Sequence, residues 1–283
     1  MTERLNLSIS SFDVAMEMHN PLSAIVAQEA GFPALWASGL TFASAMGCRD
    51  RNEVSWTQSL HNLIDVVQVA RRPILFDCDS GHGDFNNFRH VVRRIEQIGV
   101  SGVVLEDKLF PKSNSFVEGD QTLVSVREQV GKLRAGLDAR KSEHFLIVAR
   151  NETMISGGTV AESLDRCHAY VEAGADAVFI HSKRRDPEQI FDFLSQWKRR
   201  APVVIAPTTY DDVHFDEFAH AGVNLVLCAN HSLRASVRAM EQVCQQILQT
   251  RRLSAVREMV CSMDGLFSML DYQKLAQDEL HYG

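Results

Sequence analysis

The feature that most constrains this chain is a unit that recurs along it, a helical stretch closing on Gly and followed within a few residues by a short apolar run. Gly31 precedes Ala34-Leu35-Trp36, Gly99 precedes Val103-Val104-Leu105, Gly174 precedes Ala177-Val178-Phe179-Ile180, and Gly222 precedes Leu225-Val226-Leu227. Gly adopts the left-handed conformation that ends a helix, and a short run with no polar alternation is a strand covered on both faces. Arg72-Pro73-Ile74-Leu75-Phe76-Asp77, Phe145-Leu146-Ile147-Val148-Ala149-Arg150 and Pro202-Val203-Val204-Ile205-Ala206 read as three more buried strands, and a weaker one spans Ser11 to Met16. Amphipathic stretches such as Phe88 to Gln97 and Val160 to Ala173 separate them. Eight such units predict a (β/α)8 TIM barrel, since an open doubly wound sheet has fewer strands and carries a GxGxxG turn after its first one, which is missing here.

A chain of 283 residues with 45% hydrophobic content is enough for one large α/β core, so residues 1–283 are expected to form a single barrel domain. Leu233 to Gln249 reads as a helix after the last strand. Helical periodicity continues from Leu253 to Glu279, giving a C-terminal extension over about 253–283 that reads equally as a cap on its own barrel or as a contact with a neighbouring subunit. The formal charge of −7, from 36 acidic and 29 basic residues with no long basic run, argues against nucleic acid as a partner. No run approaches the ~20 apolar residues that span a bilayer, and the first residues lack the pattern of a signal peptide, so no membrane partner and a cytoplasmic location are expected. Six cysteines without a CxxC pair read as free thiols rather than as zinc ligands or a disulfide framework.

Polar residues gather just after the apolar runs, where a barrel's C-terminal face builds its site: Ser38 and Gly39, Asp77 and Asp79, Glu106 to Lys108, Arg150 and Glu152, His181 and Ser182, Thr208, Asn230 and His231. The two-residue repeat of a strand aims Asp77 and Asp79 the same way, with Cys78 toward the helix layer. With Glu106 these acids form a hard oxygen set that suits Mg2+, or Mn2+, and not zinc; a helix cap or a solvated turn is the structural alternative. Arg150 suits bidentate contact with a phosphoryl or carboxylate group, the alternative being an internal salt bridge with Glu152.

Glu106-Asp107-Lys108-Leu109-Phe110-Pro111-Lys112-Ser113-Asn114-Ser115 resembles the signature of the phosphoenolpyruvate mutase branch of the isocitrate lyase superfamily: EDK, five residues, then NS. The segments His19 to Ala24, Trp36 to Leu40, Arg49 to Ser55, Asp77 to Gly81, Phe85 to Asn87, His181 to Lys183 and Ala229 to His231 are similar too. Cys78, Ser80, His82 and Asn151 depart from the usual Ala, Thr, Tyr and apolar residue. The resemblance implies that Asp77 binds Mg2+ directly, with Asp50, Asp79 and Glu106 holding its waters. Ser38, Gly39 and Leu40, beside Trp36, would hold the substrate carboxylate, while Asn114, Ser115, Arg150 and His181 surround the phosphoryl group. Segment 108–123 would be a lid carrying Lys112, and the subunits would form homotetramers that exchange C-terminal helices.

The implied activity is the reversible isomerisation of phosphoenolpyruvate to 3-phosphonopyruvate, the entry step of phosphonate biosynthesis. Phosphonopyruvate hydrolase is the alternative, set apart at position 114, where the hydrolase typically carries Thr and this chain has Asn114. The carbon–carbon lyases of the superfamily carry a KKCGH stretch in this loop, whereas this chain has no cysteine between Cys78 and Cys167. A non-catalytic binding barrel would have lost an acid or the arginine, and all are present.

Overall fold

In the computed structural model, which describes residues 4–283, eight parallel strands close into a barrel in sequence order. The strands are β1 (Asp13–Met18), β2 (Ala34–Ala37), β3 (Ile74–Asp77), β4 (Gly102–Glu106), β5 (Leu146–Asn151), β6 (Ala177–Ile180), β7 (Val203–Ile205) and β8 (Leu225–Cys228). The helices are α1 (Pro21–Glu29), α2 (Gly39–Ala45), α3 (Trp56–Val69), α4 (Phe85–Gln97), α5 (Val126–Ala139), α6 (Val160–Glu172), α7 (Glu188–Trp197), α8 (Phe215–Ala221), α9 (His231–Thr250), α10 (Met263–Met269) and α11 (Tyr272–Tyr282), with a 3-10 helix at Leu253–Met259. The chain divides into two compact units, one ending at His231 and the other running from Ser232 to Gly283. Among the described residues no helix is long and apolar enough to cross a membrane.

Side-chain alternation splits each strand between two cores. Ala15, Ala34, Trp36, Leu75, Val104, Val148, Phe179, Val204 and Leu227 fill the barrel interior, small residues making room for two large rings. Trp36 and Phe179 meet edge to face at 6.4 Å and form the floor of the mouth. The other face of each strand packs on helices, as α4 shows: Phe88, Val91, Val92 and Ile95 form one buried stripe at helical spacing. Its start is fixed by a capping box, Asp84 accepting from the backbone N–H of Asn87 while the Asn87 side chain takes the Asp84 N–H, an arrangement worth ~1 kcal/mol. Asn20, Ser55 and Thr159 begin α1, α3 and α6 in the same way.

Two expectations change. The first strand is Asp13–Met18 rather than Ser11 to Met16, because the Ser11 side chain and backbone close a turn on Ser8. The continuous helical periodicity from Leu253 to Glu279 is broken into three pieces. Ser262 caps α10 by accepting from Gly265 N–H, and Asp271, at φ 56°, caps α11 by accepting from Lys274 N–H. Periodicity survives across such breaks, but the local side-chain bonds restart the helix each time.

Candidate active site

At the C-terminal mouth of the barrel a pocket is lined by Trp36, Ser38 and Leu40 from the β2 side, and by Asp50, Asp77 and Glu106. Arg150, His181 and the lid residues Lys112, Asn114, Ser115 and Phe116 close the rest. Two of the expected residues stand behind this wall. Gly39 N–H donates to Asp77 Oδ2 at 3.4 Å, and a Cβ at Gly39 would lie 2.8 Å from Asp79 Oδ1, so a larger residue would displace the carboxylate that Lys112 holds. Asp79 accepts from Asn52 Nδ2 at 2.8 Å and meets Lys112 Nζ at 2.5 Å.

Strand alternation is not what brings Asp77 and Asp79 together. β3 ends at Asp77, and Asp79 adopts φ 48° in the turn beyond, with its N–H donating to Asp77 Oδ1 at 3.2 Å. Cys78 does turn to the helix layer, fully buried. Arg150 makes the internal salt bridge that the sequence offered as its structural alternative, and it does so from the pocket wall. Its Nε donates to Glu152 Oε1 at 2.6 Å, its Nη1 lies 3.7 Å from Asp77, and its guanidinium lies 5.0 Å from the centre of the Phe179 ring.

The segment expected to be a lid, 108–123, begins and ends at one place, where Lys108 bridges to Leu123 and Leu109 N–H donates to the Thr122 carbonyl at 3.0 Å. From there it reaches over the site. Lys112 Nζ lies 2.9 Å from Asp50 Oδ1, Lys112 N–H donates to Asn52 Oδ1 at 2.8 Å, and Asn114 Nδ2 donates to Asp50 Oδ2 at 2.6 Å. Asn52, Phe116 and Phe179 were not foreseen. Asn52 lies within a segment singled out only by resemblance, and the two rings carry no charge or spacing that marks them.

Charge sets the character of the pocket. Asp50, Asp77, Asp79 and Glu106 gather around Lys112 and Arg150, so acidic groups outnumber the cations set directly among them. Burial pushes Asp79 up to about 7; Lys112 opposes the shift, and Asp77, Asp50 and Glu106 reinforce it. Burial also raises Glu106, against the pull of Arg150 and Lys112. For Asp50 burial acts upward as well, but Lys112, Asn114 and Arg150 outweigh it and hold the carboxyl below its ordinary value. Lys112 is raised well above the usual lysine range, since the surrounding carboxylates overcome its burial. Glu106 Oε1 is buried without a hydrogen-bond partner. An orphaned buried oxygen among clustered carboxylates is the kind of hard donor chemistry that a Mg2+ ion with its waters takes, although among the described residues no three of these side chains are gathered around one point.

Burial lowers His181, Glu152 opposes this, and Arg150 and Lys108 add to it, so the ring is neutral near pH 7. Glu152 moves the other way: burial raises it, yet Arg150, His181 and Lys108 together carry it well below the glutamate range. His181 Nδ1 lies 2.9 Å from Glu152 Oε1 and 3.1 Å from Arg150 Nη2, so its tautomer sets whether it donates to the carboxylate or accepts from the guanidinium.

A family model described as phosphoenolpyruvate phosphomutase matches residues 7–248. The chain belongs to the phosphoenolpyruvate phosphomutase family. It is 44% identical over 269 residues to a phosphoenolpyruvate phosphomutase of Streptomyces hygroscopicus, covering 94% of this chain and 86% of the relative. The crystal structure of a phosphoenolpyruvate phosphomutase from Streptomyces platensis subsp. rosaceus superimposes with a TM-score of 0.94 at 37% identity, over 96% of this chain and 95% of that one. A phosphonopyruvate hydrolase solved with oxalate and Mg2+ superimposes with a TM-score of 0.90 at 32% identity, over 96% and 94%. The family's barrel is therefore this chain's barrel, and the mutases match it with higher identity than the hydrolase does.

Proposed function

We propose that this enzyme is a phosphoenolpyruvate mutase, an isomerase that moves a phosphoryl group between the enol oxygen and C3 of one pyruvate skeleton. The observation that carries this reading is Asn114, clamped on Asp50 inside a pocket that the lid residues wall off. Asn at this position resembles the mutases, and its amide reaches the site from the lid itself.

In the direction from phosphonopyruvate, the carbon–phosphorus bond breaks and an oxygen–phosphorus bond forms on the same skeleton. The transition state is loose and metaphosphate-like, so the protein's part is positioning and charge. Asp77 would bind Mg2+, with Asp50, Asp79 and Glu106 around its waters; when bound, the ion supplies positive charge to the enolate and carboxylate oxygens. Ser38, Gly39 and Leu40, over the Trp36 floor, hold the carboxylate end. Arg150, Asn114, Ser115 and His181 hold the phosphoryl fragment. An anion beside His181 favours its protonated form, so binding turns a neutral ring into a second donor. Lys112 carries its ammonium in with the lid, and the closed lid keeps water from the fragment.

The finer assignments belong to the same proposal. The pyruvate enolate carbon gaining phosphorus makes this an entry step to phosphonates, with a following reaction that must draw product away. All six cysteines are unpaired, which supports a cytoplasmic setting. The unit from Ser232 to Gly283 exposes Met240, Leu248, Leu253, Met263, Leu280 and Tyr282, a face that supports homotetramers exchanging C-terminal helices. The test of the function is 31P NMR of phosphonopyruvate with the protein and Mg2+. Phosphoenolpyruvate is the expected product, and stoichiometric inorganic phosphate with pyruvate would replace the mutase by a hydrolase.

A further inference from the structure

Lys108 and Glu152 are buried charges to which the proposed chemistry gives no part. Lys108 stands just past β4 at 2% exposure and Glu152 just past β5 at 0%, with Nζ and Oε2 3.1 Å apart. The Lys108 ammonium has three N–H bonds and three acceptors. Besides Glu152 it donates to the Ser113 carbonyl at 2.9 Å and to Ser115 Oγ at 2.7 Å, both inside the lid. Ser115 Oγ in turn donates to Glu152 Oε2 at 2.6 Å. The other oxygen of Glu152 accepts from Arg150 Nε and lies 2.9 Å from His181 Nδ1, and the Glu152 N–H donates to Asp107 Oδ1 at 2.8 Å.

Lifting the lid removes Ser113 and Ser115 from Lys108, leaving two N–H bonds of a buried ammonium unmet, and takes a hydrogen bond from a buried carboxylate. Both losses are costly away from water, so the network favours closure. One carboxylate also serves both sides: Oε2 grips the lid and Oε1 orients the two residues that hold the phosphoryl fragment.

We propose that Lys108 and Glu152 are positioning residues that latch the lid shut over the site, so that closure and alignment of Arg150 and His181 come together. The consequence for catalysis rests on the mutase reading. With the latch gone, water reaches the fragment: the carbon–phosphorus bond breaks, a water oxygen bonds to phosphorus, and a water proton ends on C3, giving pyruvate and inorganic phosphate.

The test is hydrogen–deuterium exchange of the full-length free protein, comparing wild type with Lys108→Met and with the double variant Lys108→Met/Glu152→Gln, which removes both charges. Lid amides between 109 and 122 should exchange roughly tenfold faster or more in both variants while β1 to β4 keep their protection. With phosphonopyruvate and Mg2+, 31P NMR should then show inorganic phosphate beside phosphoenolpyruvate in the variants alone. Wild-type exchange rates in the lid would overturn the latch, as would fast exchange with no phosphate released. Unfolding of both variants would overturn it too, because a loop latch does not hold a barrel together. If the wild-type protein itself releases phosphate, the mutase reading fails and the exchange rates alone decide the latch.

Discussion

Asp77 lies on the pocket wall at the end of β3, as Glu106 does at the end of β4, and Gly39 N–H and Asp79 N–H both turn to the Asp77 carboxylate. Asp77→Ala should abolish turnover at any practical Mg2+ concentration, and a near-normal rate in a phosphonopyruvate assay would remove it from the metal site. Asn114→Ala should lower kcat by about 10²–10³ with little change in KM, the pattern of a group that acts on the transition state; an unchanged kcat would end its proposed role. Glu152 makes a pH prediction. Its folded value lies below the unfolded value of about 4.3, so the stability it contributes is complete above that pH and is lost as pH falls through the lower folded value. Melting curves between pH 3 and pH 7 should therefore fall less steeply with acid for Glu152→Gln than for wild type. At this scale the sequence was most legible where a motif carries charge. Asp50, Asp77, Lys112, Asn114, Arg150 and His181 all meet in one pocket, whereas Phe116 and Phe179, which flank His181 at 5.6 and 5.8 Å, have nothing in their neighbours that marks them.

At the scale of elements, the helices α4 and α5 pack together where Gly136 of α5 meets the Phe88 ring of α4. A Cβ there would lie 2.5 Å from Phe88 Cε1 and 3.2 Å from Ile147 Cδ1. Gly136→Ala gains up to ~1 kcal/mol of helix propensity but meets an overpacking cost of ~1–3 kcal/mol. The clash should win because Phe88 is fully buried between α4 and α5 and has nowhere to move. The variant should melt a few degrees below wild type in a calorimetric scan, and a raised melting temperature would show that Phe88 yields. Element types were legible because helix-ending glycines and unbroken apolar runs report on the backbone directly. Boundaries were less so: β1 starts after a turn made by Ser11, and the C-terminal segment breaks wherever Ser262 and Asp271 bond the backbone locally.

At the scale of the whole molecule, α9 runs for 20 residues without a single buried side chain, and Leu253, Met263, Leu280 and Tyr282 in the same C-terminal unit are also exposed. On the proposed homotetramer, this apolar surface is where another chain would pack. Light scattering at micromolar concentration should give a mass well above the 31.7 kDa of one chain, and Met240→Asp with Leu253→Asp should shift it toward that mass. A single 31.7 kDa species in the wild-type protein would rule out the oligomer.

The sequence by itself determined the barrel, the end of the barrel that carries the site and the acids, arginine and lid residues that belong to it, because hydrophobic period, helix-ending glycines and a gapless EDK-to-NS motif are properties of neighbours along the chain. Only the tertiary structure decided how those residues meet. That Asp79 reaches Lys112 from a left-handed turn, that a Cβ at Gly39 would meet the Asp79 carboxylate, and that Lys108 ties Ser115 to Glu152 across two strands are contacts between distant segments. Such contacts depend on barrel closure and on burial, which turn separated charges into one coupled network, and no local pattern records them.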